Sequence, residues 1–171
     1  PDSKAANMAL AQVRIQQKKY AEAAAILQRL WEQDRDNHDF QFGMAMLAMQ
    51  MKDWAKAERL FEELQRVDYG DDGVVESYLA QIAEETGRFD VALERFRAVP
   101  EGERGWIAQL RVAAMLGKLG RVDEARRYLA DLPAVTREQR VQVQQADAQV
   151  LRDAGNNAAA YTVLASALDQ F

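Results

Sequence analysis

The chain has 171 residues, 49% of them hydrophobic and 29% charged, which excludes a disordered chain and leaves room for one domain or a short repeat array. A net charge of −5 and a sequence pI near 5.0 argue against a nucleic-acid partner, and the absence of cysteine excludes disulfides and thiolate metal sites. Only 3 prolines and 9 glycines interrupt a sequence rich in Ala, Leu, Gln, Glu and Arg, so helices are the economical reading.

Taken in order, the predicted helices pair as 4–17 with 20–34, 37–51 with 54–67, 72–86 with 89–99, 104–119 with 122–132, and 136–154 with 157–170. Each pair turns on a short polar stretch. A polar residue, an aromatic or small residue and then an alanine recur, with a large apolar residue four positions on. These stretches are Lys19-Tyr20-Ala21-Glu22-Ala23 before Leu27, and Asp53-Trp54-Ala55-Lys56-Ala57 before Phe61. Arg88-Phe89-Asp90-Val91-Ala92 precedes Phe96, Arg121-Val122-Asp123-Glu124-Ala125 precedes Leu129, and Asn156-Asn157-Ala158-Ala159-Ala160 precedes Leu164. The alanines Ala23, Ala57, Ala92, Ala125 and Ala160 are spaced by 34, 35, 33 and 35 residues. A fixed period of this length is the signature of a repeat architecture.

The first helix of each pair carries a matching small residue: Ala11, Ala45, Ala80, Ala113 and Ala148. A larger side chain there would hold the two helices apart. Gly87, Gly120 and Gly155 stand where a helix end calls for a left-handed residue. Lys18 and Lys52 replace them in the first two pairs, which predicts less ideal turns. Asp36 or Asn37 is a cap for the second pair, and Thr136 with Gln139 forms a capping box after Pro133. Pro100 to Gly105 is the longest linker and predicts an irregularity.

The 34-residue period, the paired small residues and the turn aromatic resemble the tetratricopeptide repeat family over the whole chain. The resemblance implies an all-α, right-handed α-solenoid of about five helix-turn-helix units, ten helices in all. The repeats would run approximately 4–37, 38–72, 73–105, 106–140 and 141–171 in a single array over 1–171. The fifth departs from the pattern, with Asn157 at the turn aromatic and Asp147 at an apolar position. Pro1-Asp2-Ser3 reads as the close of an earlier repeat, and Phe171 falls at the end of the fifth. The chain is therefore read as a segment of a longer array.

No constellation for catalysis stands out, and no cofactor or metal set is expected. His38 is the lone histidine and reads as a solvated or capping residue. Glu62-Glu63 and Glu84-Glu85 are neighbours on helices, so their side chains diverge by about 100° and read as solvated surface. No apolar run is long enough to span a bilayer.

The resemblance places a partner-binding groove on the first helix of each pair. Its candidate residues are Met8, Gln12, Ile15 and Gln16; Phe42, Met46, Met49 and Gln50; Ser77, Gln81 and Glu84; Leu110, Ala114 and Gly117; and Gln145, Gln149 and Arg152. Met44 is expected in the core, and Trp106 is a further interaction candidate. The Lys and Asn residues of the family's carboxylate clamp are missing. Charge is uneven: residues 32–90 hold 15 acids and 6 bases, whereas residues 101–140 hold 6 acids and 8 bases.

The implied function is a protein-binding scaffold that takes a partner protein or peptide in the groove. The rival is a structural or oligomerisation segment of a larger protein, such as the repeat arm of a multidomain enzyme. Exposed terminal helices offer a route to self-association. The Gly-Arg-Phe-Asp and Gly-Arg-Val-Asp-Glu-Ala turns resemble repeat proteins of Gram-negative bacteria, some of them envelope lipoproteins, so bacterial cytoplasm and envelope are both open.

Overall fold

The computed structural model describes residues 3–70 and 73–170, with only the backbone of 168–170. Pro1, Asp2 and Phe171, on which the reading of the chain ends rests, lie outside the described residues. Among the described residues every regular element is a helix. By density of contacts the chain divides into two compact units, Pro1–Asp71 and Asp72–Phe171. The division falls between the second and third expected repeats.

The first unit holds α1 (Lys4–Gln16), α2 (Tyr20–Gln33), α3 (His38–Gln50) and α4 (Trp54–Arg66). Each helix packs on the next. Ala11 faces this packing at 1% exposure, and Ala23, Ala45 and Ala57 at 0%. Those values explain the alanines, because a longer side chain would have no space between the helices. Leu27, Leu30, Phe61 and Leu64 fill the interior beside them, and Met44 joins them at 5% exposure.

The second unit holds α5 (Val74–Glu85), α6 (Phe89–Ala98), α7 (Glu103–Lys118), α8 (Val122–Ala130), α9 (Arg137–Asp153) and α10 (Asn157–Gln170). Helix α6 packs between α5 and α7, α7 packs on α8 and α9, and α10 closes on α9. Ala80, Ala92, Ala113, Ala125 and Ala148 are at 0% exposure and Ala160 is at 2%. All ten small positions of the repeat are therefore buried, as the register requires.

The turns within pairs share one backbone solution. After α1, the Lys19 amide donates to the Arg14 carbonyl at 2.8 Å and the Lys18 amide to the Ile15 carbonyl at 2.9 Å. The same two bonds recur after α3, α5, α7 and α9. This is the Schellman arrangement, and it needs a left-handed residue. Gly87, Gly120 and Gly155 supply it with φ of 75°, 76° and 79°, but Lys18 and Lys52 adopt it too, at 59° and 58°. The two lysine turns thus keep the geometry and carry the cost in backbone strain. Lys18→Gly and Lys52→Gly are each expected to stabilise the chain by roughly 0.5–1 kcal/mol in urea denaturation.

The helix starts follow the sequence signals. Asn37 Oδ1 accepts from the Asp39 amide at 3.1 Å. Thr136 and Gln139 form the full capping box, with both bonds at 3.1 Å. The irregular linker after α6 has a steric cause. Val99 is extended before Pro100, as a residue preceding proline prefers. Gly73 and Gly105 crowd that proline, and a Cβ at Gly105 would lie 2.3 Å from the Pro100 carbonyl oxygen.

The fifth pair's polar residue is compensated. Asp147 on α9 accepts two bonds from Arg126 on α8, from Nε at 2.7 Å and from Nη2 at 3.1 Å. This fork is the strong form of a charge-assisted contact.

Candidate functional site

Helices α5 and α7 frame a concavity of about 220 Å³ in the second unit. Its lining follows helical spacing. Ser77, Tyr78 and Gln81 come from one side of α5, while Arg104, Ile107, Ala108 and Arg111 come from one stripe of α7. Phe96 of α6 and Ala108 are the enclosed side chains of the lining, at 6% and 3% exposure. Ile107 is 56% exposed, an unusual state for an aliphatic side chain inside a concavity.

The polar groups of this site differ in what occupies them. Ser77 Oγ donates to the Gly73 carbonyl at 2.9 Å, so its proton serves the start of α5. The Gln81 side chain makes no hydrogen bond to any described residue, so its amide offers donors and an acceptor to a guest. Arg111 approaches Glu84 of α5, with Nη2 3.4 Å from Oε2. That oxygen is buried and gains no aligned hydrogen bond, so the contact is an ion pair without a hydrogen bond. The Glu84 side chain is only 12% exposed, which overturns its reading as solvated surface. Glu63 also departs from that reading, because its carboxylate accepts from the buried Gln41 amide at 2.7 Å.

The other groove candidates are dispersed. On α1, Met8 and Ile15 are half-buried, and Gln12 and Gln16 are exposed. On α3, Met46 and Met49 are half-buried and Gln50 is exposed. Phe42 is enclosed by two rings: Phe61 meets it edge-on at 5.8 Å, and Tyr69 stacks on it at 5.3 Å. On α7, Leu110 and Ala114 pack against the unit's core, and Gly117 sits under Val150 of α9. On α9, Gln145 is exposed, while Gln149 bonds both Arg152 and Asp153. Trp106 is not a free surface ring. Its Nε1–H donates to Gln142 Oε1 at 2.5 Å and ties α7 to α9.

Arg104, Ile107, Ala108 and Arg111 line the concavity but are not among the groove residues that the sequence suggests. Their 3-4-7 spacing was visible, but the register inferred for α7 selected the neighbouring stripe. Nothing in the sequence marked Phe96 as part of a site, since it was already assigned to the repeat core.

Tyr69 adds a titratable contact in the first unit. Its hydroxyl donates to Asp39 Oδ1 at 2.7 Å. Burial, then that bond and the Asp39 charge, push the phenol up from 10.0 to about 12. The folded state favours the neutral form, so this stabilisation is present below pH 10.0 and is lost as pH rises through about 12. Alkaline absorbance titration should show a late-titrating tyrosine near 12 that Tyr69→Phe removes.

Among the described residues no three or more His, Cys, Asp or Glu side chains could hold a metal ion together. His38 is half-buried at the first position of α3, and its Nδ1 is buried without a hydrogen-bond partner. No described helix is long and apolar enough to cross a membrane.

Residues 1–38 and 14–82 match the Tetratricopeptide repeat family model. By this match the first 82 residues are tetratricopeptide repeats. Its fold is similar to that of MamA from Desulfovibrio magneticus RS-1, at a TM-score of 0.74 and 10% identity over 99% of this chain and 95% of that one. A Podosopora anserina putative kinesin light chain with nearly identical TPR-like repeats superposes at 0.75, with 17% identity and coverage of 96% and 92%. YrrB, described as a TPR protein with an unusual peptide-binding site, gives 0.65 and 18% identity, covering 95% and 84%. No curated protein matches the chain in sequence. In tetratricopeptide terms, the concavity lies between the first helices of the third and fourth repeats.

Proposed function

We propose that this chain is a scaffold that recruits a partner protein or peptide through the first-helix face of its tetratricopeptide repeats. It acts by positioning and does no chemistry of its own. The observation that carries this reading is the α5–α7 concavity, where an exposed Ile107 and an unbonded Gln81 amide lie together. An apolar contact beside convergent polar groups is the usual composition of a recognition site. The peptide-binding site reported for YrrB supports the reading by analogy of fold alone.

A benzophenone photo-crosslinker placed at Gln81 or Ile107 of the full-length protein in its own cells should trap one discrete partner. The same probe at Val135 or Tyr161, exposed at 79% and 76% and outside the concavity, should not. Equal trapping at all four positions, or none at Gln81 and Ile107, would refute the assignment.

A further inference from the structure

We infer that the α5–α7 concavity recognises an extended acidic segment of a partner protein, in which two carboxylate side chains bracket an apolar one. The inference rests on the scaffold reading and specifies its guest.

The argument begins with charge. Two guanidinium groups, Arg104 and Arg111, line the concavity, and no carboxylate does. They lie in the basic stretch of an otherwise acidic chain. Glu101 and Glu103 stand with Arg104 around the adjoining hollow of about 260 Å³, so the cationic pole is strongest at Arg111. Glu84 anchors that guanidinium from its largely buried position on α5. The contact is long and unaligned, and the Arg111 side chain keeps 45% exposure. A guanidinium has five N–H donors in a planar fork, so donors remain for a guest carboxylate.

Spacing then selects the guest. Arg104 and Arg111 are seven residues apart on one helix, about 10 Å along its axis. A polyproline-II-like segment rises about 3.1 Å per residue and returns to the same face every third residue. Carboxylates at i and i+3 therefore match the two arginines. Of the two side chains between them, each turned about 120° from the arginine face, one points into the concavity, whose apolar lining is Ile107, Ala108 and Phe96. The Gln81 amide, on the opposite helix, can bond the guest's backbone through both its donor and its acceptor.

The test is selection of peptides from a random displayed library on the purified chain, followed by anisotropy titration of the winners. These are synthesised with amidated C-termini, so only side-chain carboxylates are present. Enriched peptides should carry Asp or Glu about three residues apart around a Leu, Ile, Val or Phe. Replacing both acids by their amides should weaken binding about tenfold or more, as should raising salt. Ile107→Ser should weaken it comparably. Arg111→Gln alone would strand the Glu84 carboxylate, so the double variant Arg111→Gln/Glu84→Gln is used, with circular dichroism to confirm folding.

Selected peptides that need Ile107 but show no preference for acids would overturn this inference and leave the scaffold reading standing. So would binding that survives only with a free C-terminal carboxylate. Acidic peptides whose binding ignores both Ile107→Ser and Arg111→Gln/Glu84→Gln would overturn the site. Recovery of no peptide at all would count against the inference and the scaffold reading together, and the crosslinking experiment separates those two failures.

Discussion

Phe61→Ala is expected to cost about 3–5 kcal/mol of folding stability. Phe61 is the apolar residue four positions after the anchoring Ala57, and its side chain is fully enclosed. Truncation removes the ring's transfer energy and leaves a cavity that the neighbouring helices cannot close, because Phe42 is held in place from its other side by Tyr69. Domain stabilities run from about 5 to 15 kcal/mol, so the loss would consume a large share. Equilibrium urea denaturation followed by circular dichroism measures it. A cost under about 1 kcal/mol would mean that the site collapses freely and that Phe61 does not anchor the pair.

Gly105→Ala is expected to destabilise by about 1–3 kcal/mol, against the general rule for helices. Within a helix, alanine normally exceeds glycine by roughly 1 kcal/mol. At position 105 the added Cβ would meet the Pro100 carbonyl oxygen at 2.3 Å and its carbon at 3.1 Å. Both are backbone atoms, so relief requires moving the linker itself. Gly117, on the same helix, is the control. A Cβ there meets Val150 side-chain atoms at 3.3 and 3.4 Å, which a slight rotamer adjustment can accommodate. Gly117→Ala should therefore be near neutral, or favourable by a few tenths of a kcal/mol, as propensity offsets crowding. If Gly105→Ala raised the melting temperature, the tight passage between Pro100 and α7 would be wrong.

Much of this fold was legible because its determinants are local or periodic. The five anchoring alanines and their five partners set the register, and burial of all ten follows from helix spacing alone. The capping box of Thr136 and Gln139 is a four-residue signal and formed as read. Lys18 and Lys52 were a different matter. The residue type suggested a poorer turn, but the surrounding helix pair imposes the left-handed backbone on whatever occupies that position. Local propensity is a weak prior against such tertiary constraint.

The candidate site was legible only in part, for a physical reason. Ser77 and Gln81, which the sequence suggests as groove residues, do line the concavity from α5. Which stripe of α7 faces them depends on the rotation of that helix, and the passage through Pro100, Gly102 and Gly105 sets that rotation. No periodic pattern encodes a linker's path. Glu84 and Trp106 show the same limit. One is buried beside Arg111 and the other bonded to Gln142 on α9, partners 27 and 36 residues away.

The Arg126–Asp147 fork bears on whether these repeats are interchangeable parts. The residue after the anchoring alanine is Ala24, Glu58, Leu93, Arg126 or Tyr161 in the five pairs, and only the fourth supplies a cation. Asp147 occupies a position that most repeats fill with an apolar side chain, and it is only 15% exposed. Transplanted behind any other pair, the fifth would bring a largely enclosed carboxylate to a neighbour with no charge to meet it, or with Glu58 to repel it. The fifth pair is thus keyed to its predecessor. A shuffled or shortened array that keeps the period but breaks this adjacency would lose the fifth pair first.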